Sequence, residues 1–145
     1  MPQFDLDRMT KLVSQIREAV GHLHRLKELK ESVFIDDPDK IASAKYHFIV
    51  AIEAMIDMCS HLISRNGYRA PEDYADAFVV LGERGAFDES FVNDLKEMAK
   101  FRNRLVHVYW EIDENKIYDI LQKNLGDFKK FLNYLAKFLD WSNMA

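Results

Sequence analysis

Cysteine is nearly absent from this 145-residue chain, with Cys59 standing alone. An internal disulfide is thereby excluded, which fits a reducing cytoplasmic setting, and the lone thiol reads as a small core residue rather than a nucleophile. Glycine (5) and proline (3) are scarce, so few positions can interrupt a helix. No segment alternates with period two for long enough to propose a strand. Long apolar runs are missing as well. The longest, FIVAI at residues 48–52, is far too short to cross a membrane, and the polar start MPQFDLDRM lacks the apolar core of an export signal. There is no basic surplus either: 20 Lys and Arg stand against 24 Asp and Glu, a net charge of −4. That balance argues against broad, non-specific nucleic-acid binding.

What is present favours helices packed around one core. Nearly half the residues are apolar and 30% are charged, the balance of a folded globular chain. Length and the lack of repeats or linkers predict one domain over residues 1–145. A first helix is expected from about Asp5 to Glu31, with Met9, Leu12, Ile16, Val20, Leu23 and Leu26 at helical spacing. Asp37-Pro38 supplies an N-cap followed by proline at the first helical position, opening a second helix to about Ser64. A shorter helix follows from Pro71 to about Leu81. Asp88 then caps a fourth helix reaching about Leu105, and a fifth runs from Asp113 to about Leu139, locally weakened at Gly126. The expected architecture is all-α: an up-and-down bundle of four long helices and one short one.

The fourth helix carries an anomaly. Phe91, Leu95, Met98 and Leu105 form one narrow apolar stripe, and Arg102 falls in its middle. A guanidinium cannot shed its proton, so it must find an acceptor, snorkel to water, or line a polar cleft. The second helix offers a partner, because Glu53, Asp57 and His61 recur every four residues along one ridge. Glu53 lies nearest the apolar side of that helix and is the candidate acceptor. The ridge could be half a metal site, but two acids and one histidine make an incomplete ligand set; such ridges are mostly solvated, and no metal is expected. Lys96, Lys100, Arg102 and Arg104 form a short basic run whose plainest reading is a solvated helix face. His22, His24 and His47 fall in no recognisable pattern, and no phosphate loop, nucleophile elbow or paired-cysteine motif occurs.

The segment FRNRLVHVYW ends this helix. An Arg followed by a polar residue, with His five positions after the Arg, resembles the signature of the HEPN family. That spacing alone says little, since Arg17 precedes His22 and His24 at similar distances. Asn103 directly after Arg102, and Tyr109 two beyond His107, sharpen the likeness to the HepT-like toxins of HEPN–MNT toxin–antitoxin pairs. The long second helix, the NGYRAPEDYADAF connection, the GERGAFDESF turn and the late YDILQKNLGDFKKFL helix are similar to the same family.

The resemblance implies a homodimeric, metal-independent endoribonuclease without a cofactor, its site formed at a dimer cleft. Arg102, Asn103 and His107 would be catalytic, with Glu53 and Asp57 as supporting polar groups. The implied partners are RNA as substrate and an MNT-type nucleotidyltransferase antitoxin that attaches AMP to Tyr109. Because Arg102 and His107 lie about 140° apart on an ideal helix, their convergence requires the helix to finish or tighten near Val106. The competing reading is a non-catalytic HEPN subunit that helps a partner nucleotidyltransferase bind nucleotide or substrate.

Overall fold

The computed structural model describes residues 1–108 and 111–142, and among them every regular element is a helix. Helix α1 spans Leu6–Lys27, α2 Glu31–Ile35, α3 Pro38–Asn66, α4 Tyr74–Glu83, α5 Glu89–His107, α6 Glu114–Lys123 and α7 Gly126–Leu139. Aspartates set most of the N-termini. Asp5 accepts from the Arg8 N–H, Asp37 from Asp39 and Lys40, Asp73 from Asp76, Asp88 from Phe91 and Asp113 from Asn115. Each carboxylate satisfies otherwise unpaired amides and opposes the positive end of the helix dipole.

Three boundaries depart from the sequence expectation in ways that shape the bundle. The first helix stops at Lys27 rather than near Glu31, where α6 takes its last carbonyl and one just beyond it. Gln122 donates to the Lys27 carbonyl at 2.8 Å and Tyr118 to that of Leu29 at 2.7 Å. The chain then turns into α2, which places Phe34 fully in the core. The last helical stretch is two helices, broken between Lys123 and Gly126 where Leu125 turns inward to a buried position. The weak helix former Gly126 marks that corner, and the long apolar series is divided so that both halves face the core. The third predicted helix also begins later, at Tyr74, after the residues following Pro71 have turned.

Helix α3 is the axis of the bundle, packing against α1, α4, α5, α2 and α6. By length and composition it could cross a membrane. Here its apolar side is taken up by the core, with Phe48, Ile52, Met55, Met58, Cys59 and Leu62 almost fully buried. Burial also pushes the Cys59 thiol well above its ordinary pKa, as a core position demands. An aromatic cluster of Phe87, Phe91, Phe131 and Tyr134 pins the start of α5 to α7, and the Tyr134 hydroxyl donates to the capping Asp88 at 2.6 Å. Helices α4 and α5 meet at Gly82, where an added Cβ would lie 2.6 Å from a Val92 methyl. That close crossing brings the first turn of α4 towards the last turns of α5.

Candidate functional site

Arg102 is the one buried charged residue among those described, 9% exposed, on the side of α5 that faces the core. Its flanking positions explain the burial. Leu95, Ala99 and Leu105 anchor the same face in the core, so the helix cannot rotate the guanidinium outward. Glu53 on α3 answers it: Arg102 Nε donates to Glu53 Oε1 at 3.1 Å, and Nη2 donates to the same oxygen. A third donor, Nη1, reaches Asn103 Oδ1 at 3.1 Å. The guanidinium also lies over the Tyr74 ring, 4.8 Å from its centroid. Sequence reasoning anticipated the Glu53 contact; it gave no sign of Tyr74.

These contacts fix the Asn103 carboxamide. A guanidinium donates only, so the oxygen of Asn103 must face it and the amide NH₂ must point elsewhere. Asn103 and His107 are one helical turn apart and share a face of α5. His107 is exposed and occupies the last helical position.

The expected early end of the helix is not observed. The Val108 N–H donates to the Arg104 carbonyl at 2.9 Å, so α-helical bonding carries through His107. Leu105 is buried and holds this last turn against the core. Arg102 and His107 therefore point about 140° apart and do not converge within one chain. Tyr109, the predicted modification site, lies outside the described residues.

The α3 ridge also separates in function. Glu53 is half-buried and paired with Arg102, whereas Asp57 is exposed at the rim of a cleft of about 140 Å³ lined by Glu53, Ile56, Asp57, Tyr74 and Arg102. Desolvation by the surrounding protein raises the Asp57 carboxyl above the usual range; Arg8 pulls it down, the Glu53 charge pushes it up, and Arg102 pulls it down more weakly. His61 turns away from both acids. Its Nε2 accepts the Asp5 N–H at 2.9 Å, tying the chain start to α3, so the ridge does not close into a metal-ligand set. Desolvation, aided by Arg65 and Arg8, lowers the His61 pKa, as an accepting ring nitrogen requires.

The basic run disperses. Lys100 pairs with Glu97 at 3.2 Å on the exposed face, and Arg104 also faces solvent, leaving Arg102 alone inside. His22 and His47 stack across α1 and α3 with centroids 4.2 Å apart and brace that packing.

A second residue invisible in the sequence pattern is Arg69. Its guanidinium grips both oxygens of Asp76 at 2.8 and 2.9 Å and also binds Glu83. That fork holds the Asp76 carboxyl at about 2 and clamps both ends of α4 to the α3–α4 connection. The position of Tyr74, first residue of α4, follows from it. The spacing of Asp76 and Glu83, two turns apart on one helix face, was the available signal.

Comparison with known proteins bears on the whole arrangement. The family model described as ribonuclease HepT-like matches residues 16–135. The mRNA nuclease HepT of Shewanella oneidensis is 28% identical over 83 residues, a match spanning 57% of this chain and 62% of that protein's length. A putative RNase of Archaeoglobus fulgidus is 27% identical over 115 residues, 79% of this chain and 85% of the relative. Among solved structures, the tri-AMPylated Shewanella oneidensis HEPN toxin in complex with MNT antitoxin superposes with a TM-score of 0.83 at 22% identity. That superposition covers 90% of this chain and 98% of that one.

Proposed function

The chain belongs to the ribonuclease HepT-like family, and from that premise we propose that it is an endoribonuclease toxin held in check by a nucleotidyltransferase antitoxin. The observation that carries the reading is the buried guanidinium of Arg102, which orients Asn103 one turn before an exposed His107 at the end of α5. The names of the relatives, mRNA nuclease and putative RNase, support RNA as the substrate class.

RNA carries its own nucleophile. In the proposed reaction a histidine takes the proton of the 2′-hydroxyl, the 2′-oxygen bonds to the adjacent phosphorus, and the bond to the 5′-oxygen breaks. A second acid returns a proton to that oxygen, leaving a 2′,3′-cyclic phosphate and a 5′-hydroxyl. An imidazole suits either proton role near neutrality. The Asn103 NH₂, turned away from Arg102, is a donor for a phosphate oxygen, and the two guanidinium N–H groups not engaged by Glu53 and Asn103 add positive field.

The divergence of Arg102 and His107 means that one chain supplies one motif histidine on one face. A symmetric homodimer opposing two α5 ends would supply both acid and base, which is the arrangement we propose. The antitoxin acts on Tyr109, two positions after His107 in the sequence: its phenolic oxygen takes AMP from ATP, pyrophosphate leaves, and the added phosphodiester charge opposes RNA.

The competing reading, a non-catalytic HEPN subunit assisting nucleotide or substrate binding by a partner nucleotidyltransferase, draws on one observation. Three donors of Arg102 are directed at Glu53 and Asn103, an arrangement that also serves a purely structural role. Cleavage decides. The purified chain is expected to cut RNA in excess EDTA, and His107→Ala to remain folded by circular dichroism while losing activity by at least a hundredfold, the order of a general acid–base contribution. Undiminished cleavage by the mutant rejects the mechanism, and no cleavage by the wild-type chain favours the subunit reading.

A further inference from the structure

The cleft beside Arg102 holds two residues, Tyr74 and Asp57, to which the proposed cleavage steps give no task. Tyr74 exposes 48% of its surface although its ring borders a buried cation. The guanidinium over the ring, at 4.8 Å, holds the side chain in place and engages its π-system, and the Arg69 fork on Asp76 and Glu83 fixes the helix that carries it. Asp57 shares the cleft with Tyr74 and presents a carboxylate at its rim. The Glu53 charge between them is already answered by Arg102, so the cleft is not a purely repulsive acidic surface.

An exposed, immobilised aromatic ring beside a polar-rimmed cleft is the arrangement that receives an unstacked nucleobase. The rim determines which base. An ionised carboxylate only accepts hydrogen bonds, so it selects an edge that donates. Guanine presents two adjacent donors, N1–H and the N2 amino group, matching the two carboxylate oxygens in a charge-assisted fork. Adenine and cytosine each offer an amino group beside an acceptor, and uracil offers one N–H between two acceptors. Partial desolvation of Asp57 strengthens such a contact, because less water competes for its oxygens.

We propose that Tyr74 and Asp57 form a nucleobase subsite beside Arg102, in which the base stacks on the Tyr74 ring and Asp57 selects guanine. This rests on the RNA-cleaving reading and names the substrate feature that the site grips. Tyr74 contributes affinity for any base, Asp57 contributes the choice among them, and Arg69 acts as a positioning residue through α4.

The test uses the full-length chain and fluorescently labelled heptamers, UUUNUUU, in which N is guanine, inosine, adenine, cytosine or uracil. Deoxyribose throughout removes the 2′-hydroxyl and prevents cleavage. Fluorescence polarisation is expected to give about tenfold tighter binding for guanine than for adenine or uracil. Inosine, which keeps N1–H and lacks the N2 amino group, should fall between. Tyr74→Phe should retain affinity for every heptamer, and Tyr74→Leu should weaken all of them about tenfold without changing their order. Asp57→Asn should erase the preference of guanine over inosine while leaving the uracil heptamer bound at least as well. A mere loss of fold would not move that ratio in this way.

Persistence of the guanine preference in Asp57→Asn, or wild-type affinity in Tyr74→Leu, overturns the subsite. Cleavage of ribose heptamers by the wild-type chain without base preference overturns it while leaving the ribonuclease reading intact. Selective binding without any cleavage upholds the subsite and overturns the ribonuclease reading. Neither binding nor cleavage overturns both.

Discussion

Removing Glu53 should destabilise the protein more than removing the arginine it serves. The guanidinium of Arg102 cannot be neutralised, and its side chain is only 11% exposed, against 43% for that of Glu53. Breaking a fully buried pair by deleting one partner costs about 3–5 kcal/mol, because the other charge is left without compensation. Water can reach the Glu53 side of this pair and replace part of the contact, which brings the expected loss for Glu53→Ala to about 2 kcal/mol. For a chain of this length that corresponds to a fall in Tm of about 4–8 °C. Glu53→Gln keeps an acceptor oxygen and loses the charge assistance, so about 1 kcal/mol is expected. Arg102→Leu extends the apolar stripe of α5 and leaves an acid that water can solvate, a change within about 1 kcal/mol of neutral. The double variant Glu53→Ala/Arg102→Leu should therefore recover most of the loss of Glu53→Ala. Urea unfolding of all four variants at one protein concentration measures this as midpoint shifts at constant slope. The reasoning fails if Glu53→Ala lies within 0.5 kcal/mol of wild type, taking ~0.5 as the usual scatter of surface substitutions, or if the double variant loses the sum of the singles.

Two further outcomes are expected. Tyr109→Phe should keep the fold and most of its toxicity but escape its cognate nucleotidyltransferase; intact-mass and peptide mapping after co-expression with ATP present would contradict this by finding AMP on another residue of the wild-type chain. His61 accepts the Asp5 N–H only when neutral, and its folded pKa is lowered from 6.5 chiefly by desolvation. The unfolded chain therefore binds the proton more readily, so this stabilisation is complete above the unfolded value and is lost as pH falls through the folded one. Hydrogen exchange of the Asp5–Met9 amides at pH 7.5 and 5.5 should show weaker protection at the lower pH, and a His61→Phe chain with the same pH response would refute the assignment.

The fold was legible wherever local chemistry decides. Aspartate caps at residues 37 and 88 announced their helices, and the apolar stripes named most of the core. Element ends depended on distant partners. Nothing within the sequence of α1 says that Gln122 and Tyr118 will take the carbonyls near its end, contacts 95 and 89 positions away in the chain. The break before α7 showed in the sequence only as a weakening at Gly126; its becoming a full corner follows from the burial of Leu125, a demand of the bundle.

The candidate site divides along the same line. Arg102 was visible because a permanent cation on an apolar stripe is a local contradiction, and Glu53 because it is the acid of its ridge nearest the apolar side of the helix. Tyr74 was missed, since its ring reaches Arg102 through the Arg69 fork, whose one local trace is the spacing of Asp76 and Glu83, and through the Gly82 crossing, which leaves none. His107 was legible as a residue and misread in direction. The buried Leu105 and the Val108 to Arg104 hydrogen bond carry α5 through His107, which turns the imidazole away from the guanidinium. That continuation changes what the arrangement needs. A chain whose helix ended at Val106 could gather guanidinium, amide and imidazole by itself; one whose helix continues presents Asn103 and His107 together and keeps Arg102 behind them. In the proposed cleavage the arginine then acts mainly through the orientation of Asn103, and the second proton-transfer group is assigned to a partner copy.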